Sequence, residues 1–155
     1  ERFEGRNLDL ICILQPEPLL IRADSRRIWR VLENLYVNVC KYAMPGTRVY
    51  VDAIKKDGKI QLSIKNISEN PLNFQADELT ERFIRGDVSR STEGSGLGLS
   101  IAKNLTVLQH GSFNIYLDGD LFKVTITFDE AVKEKKPMPP MIVPEAVQEE
   151  AQQDA

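Results

Sequence analysis

The chain is poor in the residues that usually announce a metal or disulfide protein. Its 155 residues include one histidine, His110, and two cysteines, Cys12 and Cys40. Two cysteines cannot make a disulfide framework, and their spacing fits no zinc site. They suit a reducing cytosol, with Cys40 read as a small buried thiol beside an apolar helix face. Basic residues are not in excess: 20 Lys and Arg stand against 23 Asp and Glu, a net charge of −3. That excludes the basic face of a nucleic-acid binder. No run of about 20 apolar residues exists, so nothing in the sequence spans a membrane as a helix. No signal peptide and no internal repeat are visible. There is no initiator methionine, and the start at Glu1 reads as that of an excised piece. What is present is ordinary for a globular domain, 42% apolar and 28% charged residues, and long enough for one real core.

The most informative stretch is Gly94-Ser95-Gly96-Leu97-Gly98-Leu99-Ser100. It follows a polar run, 87–93, and leads into a helical pattern of Leu97, Leu99, Ile101, Ala102, Leu105 and Leu108. Glycines at alternate positions let a backbone approach a ligand closely, because no Cβ blocks it. A helix that starts there aims free N–H groups and the positive end of its dipole at an anion, most often a phosphate. Glycine-rich turns before helices also arise for packing, and this motif alone leaves both readings open.

A second segment, 24–43, reads as a helix with Asp24 or Ser25 as N-cap. Ile28, Val31, Leu32, Leu35, Val39 and Tyr42 form its apolar stripe, and Asn34, Asn38 and Lys41 form another. Asparagine is a mediocre helix former because its amide competes for backbone hydrogen bonds. The stripe is either a solvated polar face or a ligand face, a carboxamide for Mg²⁺ beside a lysine for phosphate. Oxygen donors suit Mg²⁺, which takes few protein groups and shares the rest with water and phosphate.

Alternating patterns predict strands at 8–14, 19–22, 48–54, 59–65, 112–117 and 121–128. Asp57-Gly58 reads as a hairpin turn, and Asp118-Gly119-Asp120 as a three-residue hairpin loop. Short and long helices are expected at 77–83 and 97–109, with His110 favoured at the C-terminal end of the latter. Residues 1–8 read as the end of a linker from a missing domain, 9–130 as the folded domain, and 131–155 as a disordered tail or, less simply, a partner-binding motif. The class is α+β, a two-layer sandwich of helices on a mostly antiparallel sheet.

Leu32-Glu33-Asn34-Leu35-Tyr36-Val37-Asn38-Val39-Cys40-Lys41-Tyr42 resembles the N box of sensor histidine kinase catalytic domains. Glu81-Arg82-Phe83-Ile84-Arg85-Gly86-Asp87-Val88-Ser89-Arg90 resembles their F box, residues 94–103 their second glycine box, and Leu108-Gln109-His110-Gly111-Ser112-Phe113 their closing turn. Order and gaps match over residues 1–128. The resemblance implies the Bergerat fold of the GHKL ATPases, a mixed five-stranded sheet on three helices, with ATP and Mg²⁺ bound. By it, Asn38 holds Mg²⁺ and Asn34 positions the metal or its water. Lys41 and Tyr42 contact phosphate and nucleotide, and Arg85 and Arg90 lie near the γ-phosphate. Gly94, Gly96 and Gly98 hold phosphates through the backbone, with Phe83, Ser95, Leu97 and Leu99 in the same nucleotide-binding set. Residues 84–96 would be the mobile lid, an assignment their Gly, Ser, Asp and Thr content supports.

The implied partners are the intact protein's own dimerisation and histidine phosphotransfer domain, then a response regulator with an aspartate acceptor. His110 is not that acceptor, so an isolated monomeric domain would bind ATP without phosphorylating itself. The implied location is the cytosolic side of a membrane-anchored bacterial sensor, with no membrane contact by this segment. Two competitors stay open: a gyrase-type, mismatch-repair or chaperone ATPase, against which Asn34 in place of a hydrolytic glutamate argues, and a degenerate nucleotide-sensing or docking module.

The second rests on a departure. The family's adenine-binding Asp-x-Gly-x-Gly is replaced by Asn66-Ile67-Ser68-Glu69-Asn70. Asn66 is either a neutral acceptor for the adenine amino group or part of a strand-end turn. A charged acceptor is roughly twice as strong as a neutral one. Asn66→Asp is therefore expected to tighten ATP binding in a calorimetric titration, and no change would move the adenine site elsewhere.

Overall fold

The computed structural model describes residues 2–72 and 97–132. The helix expected at 77–83, the lid at 84–96 and the tail from 133 onward lie outside them. Seven main elements follow a single-turn helix α1 (Arg2–Gly5): β1 (Asp9–Leu14), α2 (Ser25–Tyr42), β2 (Arg48–Lys56), β3 (Lys59–Ile67), α3 (Gly98–Leu108), β4 (Ser112–Asp118) and β5 (Leu121–Asp129). The strands form one sheet in the order β1-β2-β3-β5-β4. β1 runs parallel to β2, because α2 carries the chain back between them, and the other three pairings are antiparallel. This is the expected α+β architecture, a mixed five-stranded sheet with helices against it.

α2 and α3 lie antiparallel. The Asp24 N–H donates to Gln109 Oε1 at 2.8 Å at one end, while Gly98 meets Asn34 at the other. Their apolar stripes close on β5: Val31 and Leu35 from α2, Leu99 and Ala102 from α3, and Phe122, Val124, Ile126 and Phe128 from alternate β5 positions make one buried cluster. Full burial of such a side chain contributes roughly 1.5–3 kcal/mol, so packing rather than intrinsic propensity holds α2 in place. A second cluster, Leu8, Val39, Ala43 and Val49, fills the space under the C-terminal end of α2. Residues 2–8, expected as the end of a linker, are seated on that end: the Phe3 ring meets Tyr36 edge-on with centroids 4.6 Å apart, and Leu8 is buried.

The caps follow local chemistry. Asp24 is the N-cap of α2, its carboxylate accepting from the Arg27 N–H at 3.0 Å. Asp57 and Gly58 both have positive φ, 52° and 72°, the conformation a two-residue hairpin turn requires. Two expectations change. Residues 19–22 make no strand; Ile21 forms a single bridge with Glu130, and Ala131 donates to the Leu20 carbonyl. The last hairpin closes through two residues, Gly119 and Asp120, because Asp118 pairs with Leu121. The end of β5 is pinned by Lys59–Asp129 and Lys55–Glu130 ion pairs. The hydrogen bond that Lys59 donates holds the Asp129 carboxyl below its ordinary range, and donating to the Glu130 carboxylate raises Lys55.

α3 ends in a Schellman arrangement: the His110 N–H reaches the Val107 carbonyl and the Gly111 N–H the Thr106 carbonyl, both at 3.0 Å. His110 takes the left-handed position, φ 64°, which glycine normally fills. At Gly111 the demand is different: a Cβ would lie 2.7 Å from the Phe128 ring and 2.9 Å from Thr106 Cγ2. Adjacent substitutions should therefore have opposite signs. His110→Gly is expected to stabilise by up to about 1 kcal/mol, and Gly111→Ala to destabilise by about 1–3 kcal/mol. Urea denaturation midpoints measure both; equal shifts would refute the reading of this turn.

Candidate functional site

The site is set by the rotation of α2. With Val31, Leu35 and Val39 buried, Asn34 and Asn38 fall at the edge of the buried stripe and are half-buried, while Lys41 and Tyr42 are exposed at the C-terminal end. Asn34 spends its Nδ2 on the Arg30 carbonyl one turn back, at 2.8 Å. Its Oδ1 faces the start of α3.

At that start, Leu97 adopts helical dihedrals and supplies no side-chain cap. The first-turn N–H groups of a helix have no intrahelical acceptor, so Gly98, Leu99 and Ser100 present donors and the positive end of the dipole beside the asparagine stripe. Ser100 turns its hydroxyl back to the Leu97 carbonyl, 2.8 Å away. Gly98 has a bearing on the packing alternative. A Cβ there would sit 3.4 Å from Asn34 Oδ1, an ordinary contact, and its φ is not positive. Among the described residues, neither packing nor backbone strain demands glycine at 98.

Across from α2, β3 supplies Asn66, 3% exposed. Asn38 and Asn66 line the same crevice, floored by Leu35, Val39, Ile64, Phe122 and Val124, with about 10 Å³ of free volume. That is room for about one water, too narrow for a purine without widening. Asn66 Nδ2 makes a long 3.3 Å bond to the Ile67 carbonyl, and its Oδ1 is buried with no hydrogen-bond partner. A buried acceptor left unmade costs about 1–3 kcal/mol, so this oxygen is a good fit for an amino group delivered by a ligand.

The exits of α2 and β3 are laced together. Met44 N–H donates to the Ile67 carbonyl at 2.8 Å, Glu69 N–H to the Tyr42 carbonyl at 2.8 Å, and Ala43 bridges Ser68. Arg6 closes this lacing: its guanidinium donates to the carbonyls of Lys41 (2.9 Å) and Ala43 (3.0 Å) and pairs with Glu69. Sequence reading missed Arg6 and Glu69. Their partners lie 35 to 63 residues away from Arg6, and no local pattern marks such a contact.

Of the residues singled out in the sequence, the structure brings Asn34, Asn38, Asn66, Leu97 and Gly98 around one crevice and one helix start. Lys41 and Tyr42 lie at its α2 end. The Leu99 side chain is in the core, 4% exposed, which leaves its backbone N–H for the site. Phe83, Arg85, Arg90, Gly94, Ser95 and Gly96 lie outside the described residues.

A family model described as histidine kinase-, DNA gyrase B- and HSP90-like ATPase matches residues 23–132. The signal transduction histidine-protein kinase BaeS of Escherichia coli is 31% identical over 113 residues, 72% of this chain and 24% of that protein. The sensor histidine kinase WalK of Bacillus subtilis is 31% identical over 144 residues, 88% of this chain and 23% of that protein. The chain thus spans about a quarter of the length of these relatives. Among solved structures, a mycobacterial sensor histidine kinase, MprB, superposes with a TM-score of 0.67 at 24% identity, covering 88% of both chains. The catalytic domain of histidine kinase ThkA in a nucleotide-free form gives 0.70 at 22% identity, covering 83% of both. These two likenesses establish the fold.

Since the Asn66 oxygen has no protein partner, removing it should cost the fold little. Asn66→Leu is expected to melt at the same temperature as the parent or above it. A loss of more than about 2 kcal/mol would mean that the amide carries a structural hydrogen bond.

Proposed function

This chain belongs to the histidine kinase-, DNA gyrase B- and HSP90-like ATPase family, and we propose that it is the ATP-binding catalytic domain of a two-component sensor histidine kinase. The observation that carries this reading is the buried, unpartnered Asn66 oxygen sharing a crevice with Asn38. Asn66 would accept from the adenine amino group, against an apolar floor that excludes water. Asn38 would offer its carboxamide oxygen to Mg²⁺, with Asn34 positioning the metal or its water. When bound, Mg²⁺ would neutralise phosphate charge.

Lys41 at the end of α2 and the N–H groups at the start of α3 would oppose the remaining phosphate charge. A glycine at 98 that packing does not require supports close approach of a ligand to that backbone. Gly94, Ser95, Gly96, Phe83, Arg85 and Arg90 belong to the same reading through their motifs. Phosphoryl transfer asks a protein mainly for positioning and charge neutralisation, and these groups supply both. In the whole protein the γ-phosphate would pass to a histidine of a separate helical domain and then to a response-regulator aspartate. The domain would sit on the cytosolic side of a membrane-anchored sensor; no helix among the described residues is long and apolar enough to cross a membrane.

One observation favours a second reading, a nucleotide-sensing or docking module without catalysis: a neutral Asn66 in a crevice too narrow for a purine. Titration calorimetry with a non-hydrolysable ATP analogue separates the kinase reading from the docking module. The kinase reading expects binding that depends on Mg²⁺ and is lost in Asn38→Ala while the melting temperature stays unchanged. Absence of binding up to millimolar analogue selects the docking module, and full binding by Asn38→Ala sinks the metal assignment.

A further inference from the structure

We propose that Arg6 is a positioning residue for the adenine acceptor, acting through the paired exits of α2 and β3; this rests on the nucleotide-binding reading above. Arg6 stands at the join between α1 and the sheet. Its own N–H bonds back to the Phe3 carbonyl at 3.2 Å, and its carbonyl accepts from Gly46 at 3.2 Å. Its side chain reaches two structures at once. On α2 it holds the Lys41 and Ala43 carbonyls, which the helix end leaves without intrahelical donors. Beyond β3 it holds the Glu69 carboxylate.

A guanidinium suits this role because its donors form a rigid planar fork that satisfies several acceptors in one geometry. The Glu69 pair is partly exposed, with side chains 27% and 45% accessible, and as an isolated ion pair would be weak. Its importance is directional. Glu69 lies three residues after Asn66, and its N–H is fixed to the Tyr42 carbonyl. The Ile67 carbonyl that accepts the Asn66 amide also accepts the Met44 N–H. Any displacement of Arg6 therefore reaches the Asn66 side chain through one carbonyl and Lys41 through another. α1 is also braced on α2 by Phe3 against Tyr36. The chain entering the domain thus contacts the exits of both α2 and β3 before it joins the sheet, and a pull on α1 would change how well Asn66 meets adenine.

The experiment combines calorimetry with a ¹⁵N correlation spectrum of the Asn66 side-chain amide in Arg6→Ala and Arg6→Lys. Arg6→Ala is expected to bind the non-hydrolysable ATP analogue about tenfold more weakly, the factor that 1.4 kcal/mol of positioning represents. It should also displace the Asn66 amide resonances in the ligand-free protein and lower the melting temperature by only a few degrees. Arg6→Lys, which keeps the charge but loses the fork, should fall between. Phe3→Ala, which removes the Tyr36 brace and spares the guanidinium bonds, should displace the Asn66 amide less than Arg6→Ala does. Unchanged affinity and unchanged Asn66 resonances in folded Arg6→Ala overturn the proposal. Should that variant fail to fold, the milder Arg6→Lys, which loses the planar fork, must still displace the Asn66 amide, and a fixed resonance there overturns it equally. A parent chain that binds no nucleotide refutes the function proposed above, while the amide resonances still decide whether Arg6 sets the position of Asn66.

Discussion

Everything at the site depends on the rotation of α2 about its own axis. A helix turns about 100° per residue, so a slip of one position would carry Asn38 away from β3 altogether. Burial of Val31, Leu35 and Val39 fixes that rotation. Asn34 and Asn38 each follow a buried residue by three positions, which places them roughly 60° from the buried line. They are therefore neither in the core nor in free solvent. This boundary position keeps the amides partly desolvated, where polar interactions strengthen, and still within reach of a ligand. The apolar stripe and the chemistry-bearing stripe are one constraint read from two sides.

The crevice also joins stability and function in opposition. Most buried polar atoms in folded proteins have partners, and nearby examples obey that: Thr106 bonds the Ala102 carbonyl at 2.8 Å, and Ser68 bonds the Asn70 carbonyl at 2.7 Å. Asn66 is an exception among the described residues, as are Arg6 Nε and Asp52 Oδ2: it has one long bond and one orphaned oxygen. A neutral amide bears that exposure to low dielectric more cheaply than a carboxylate would. Asparagine at 66 thus keeps the cost of the unpartnered oxygen below that of a buried carboxylate.

Local periodicity was legible, and most of what it predicted is present. The stripe of α2, the alternation of β5 and the Asp57-Gly58 turn each encode their geometry within a few residues. The failures share a cause, dependence on distant partners. Residues 19–22 have strand-like composition but find only Glu130 to bridge. Leu99 belongs to a glycine motif by position and to the core by packing, which only the antiparallel docking of α2 and α3 decides. Residues 2–8 are polar enough to read as a linker, yet Phe3 and Leu8 find apolar surface on α2 and β2. Asn38 and Asn66 were singled out separately, and nothing in their sequence neighbourhoods says that they share a crevice.

The parallel pairing of β1 has a consequence for how the molecule opens. Among the described residues β1 sits at the sheet edge, pairs with β2 alone, and buries little: Leu10, Ile13 and Leu14 are 45%, 57% and 63% exposed. Its ladder also spans the whole of α2 in sequence, so its loop-closure entropy is returned as soon as it detaches. Strands with few buried contacts and exposed backbone bonds lie at the low end of local unfolding free energies. Among the described strands, β1 is therefore expected to open to solvent before β3 and β5, which lie at the centre of the sheet. The domain has a soft edge on the side where the chain enters and a hard centre under the asparagines.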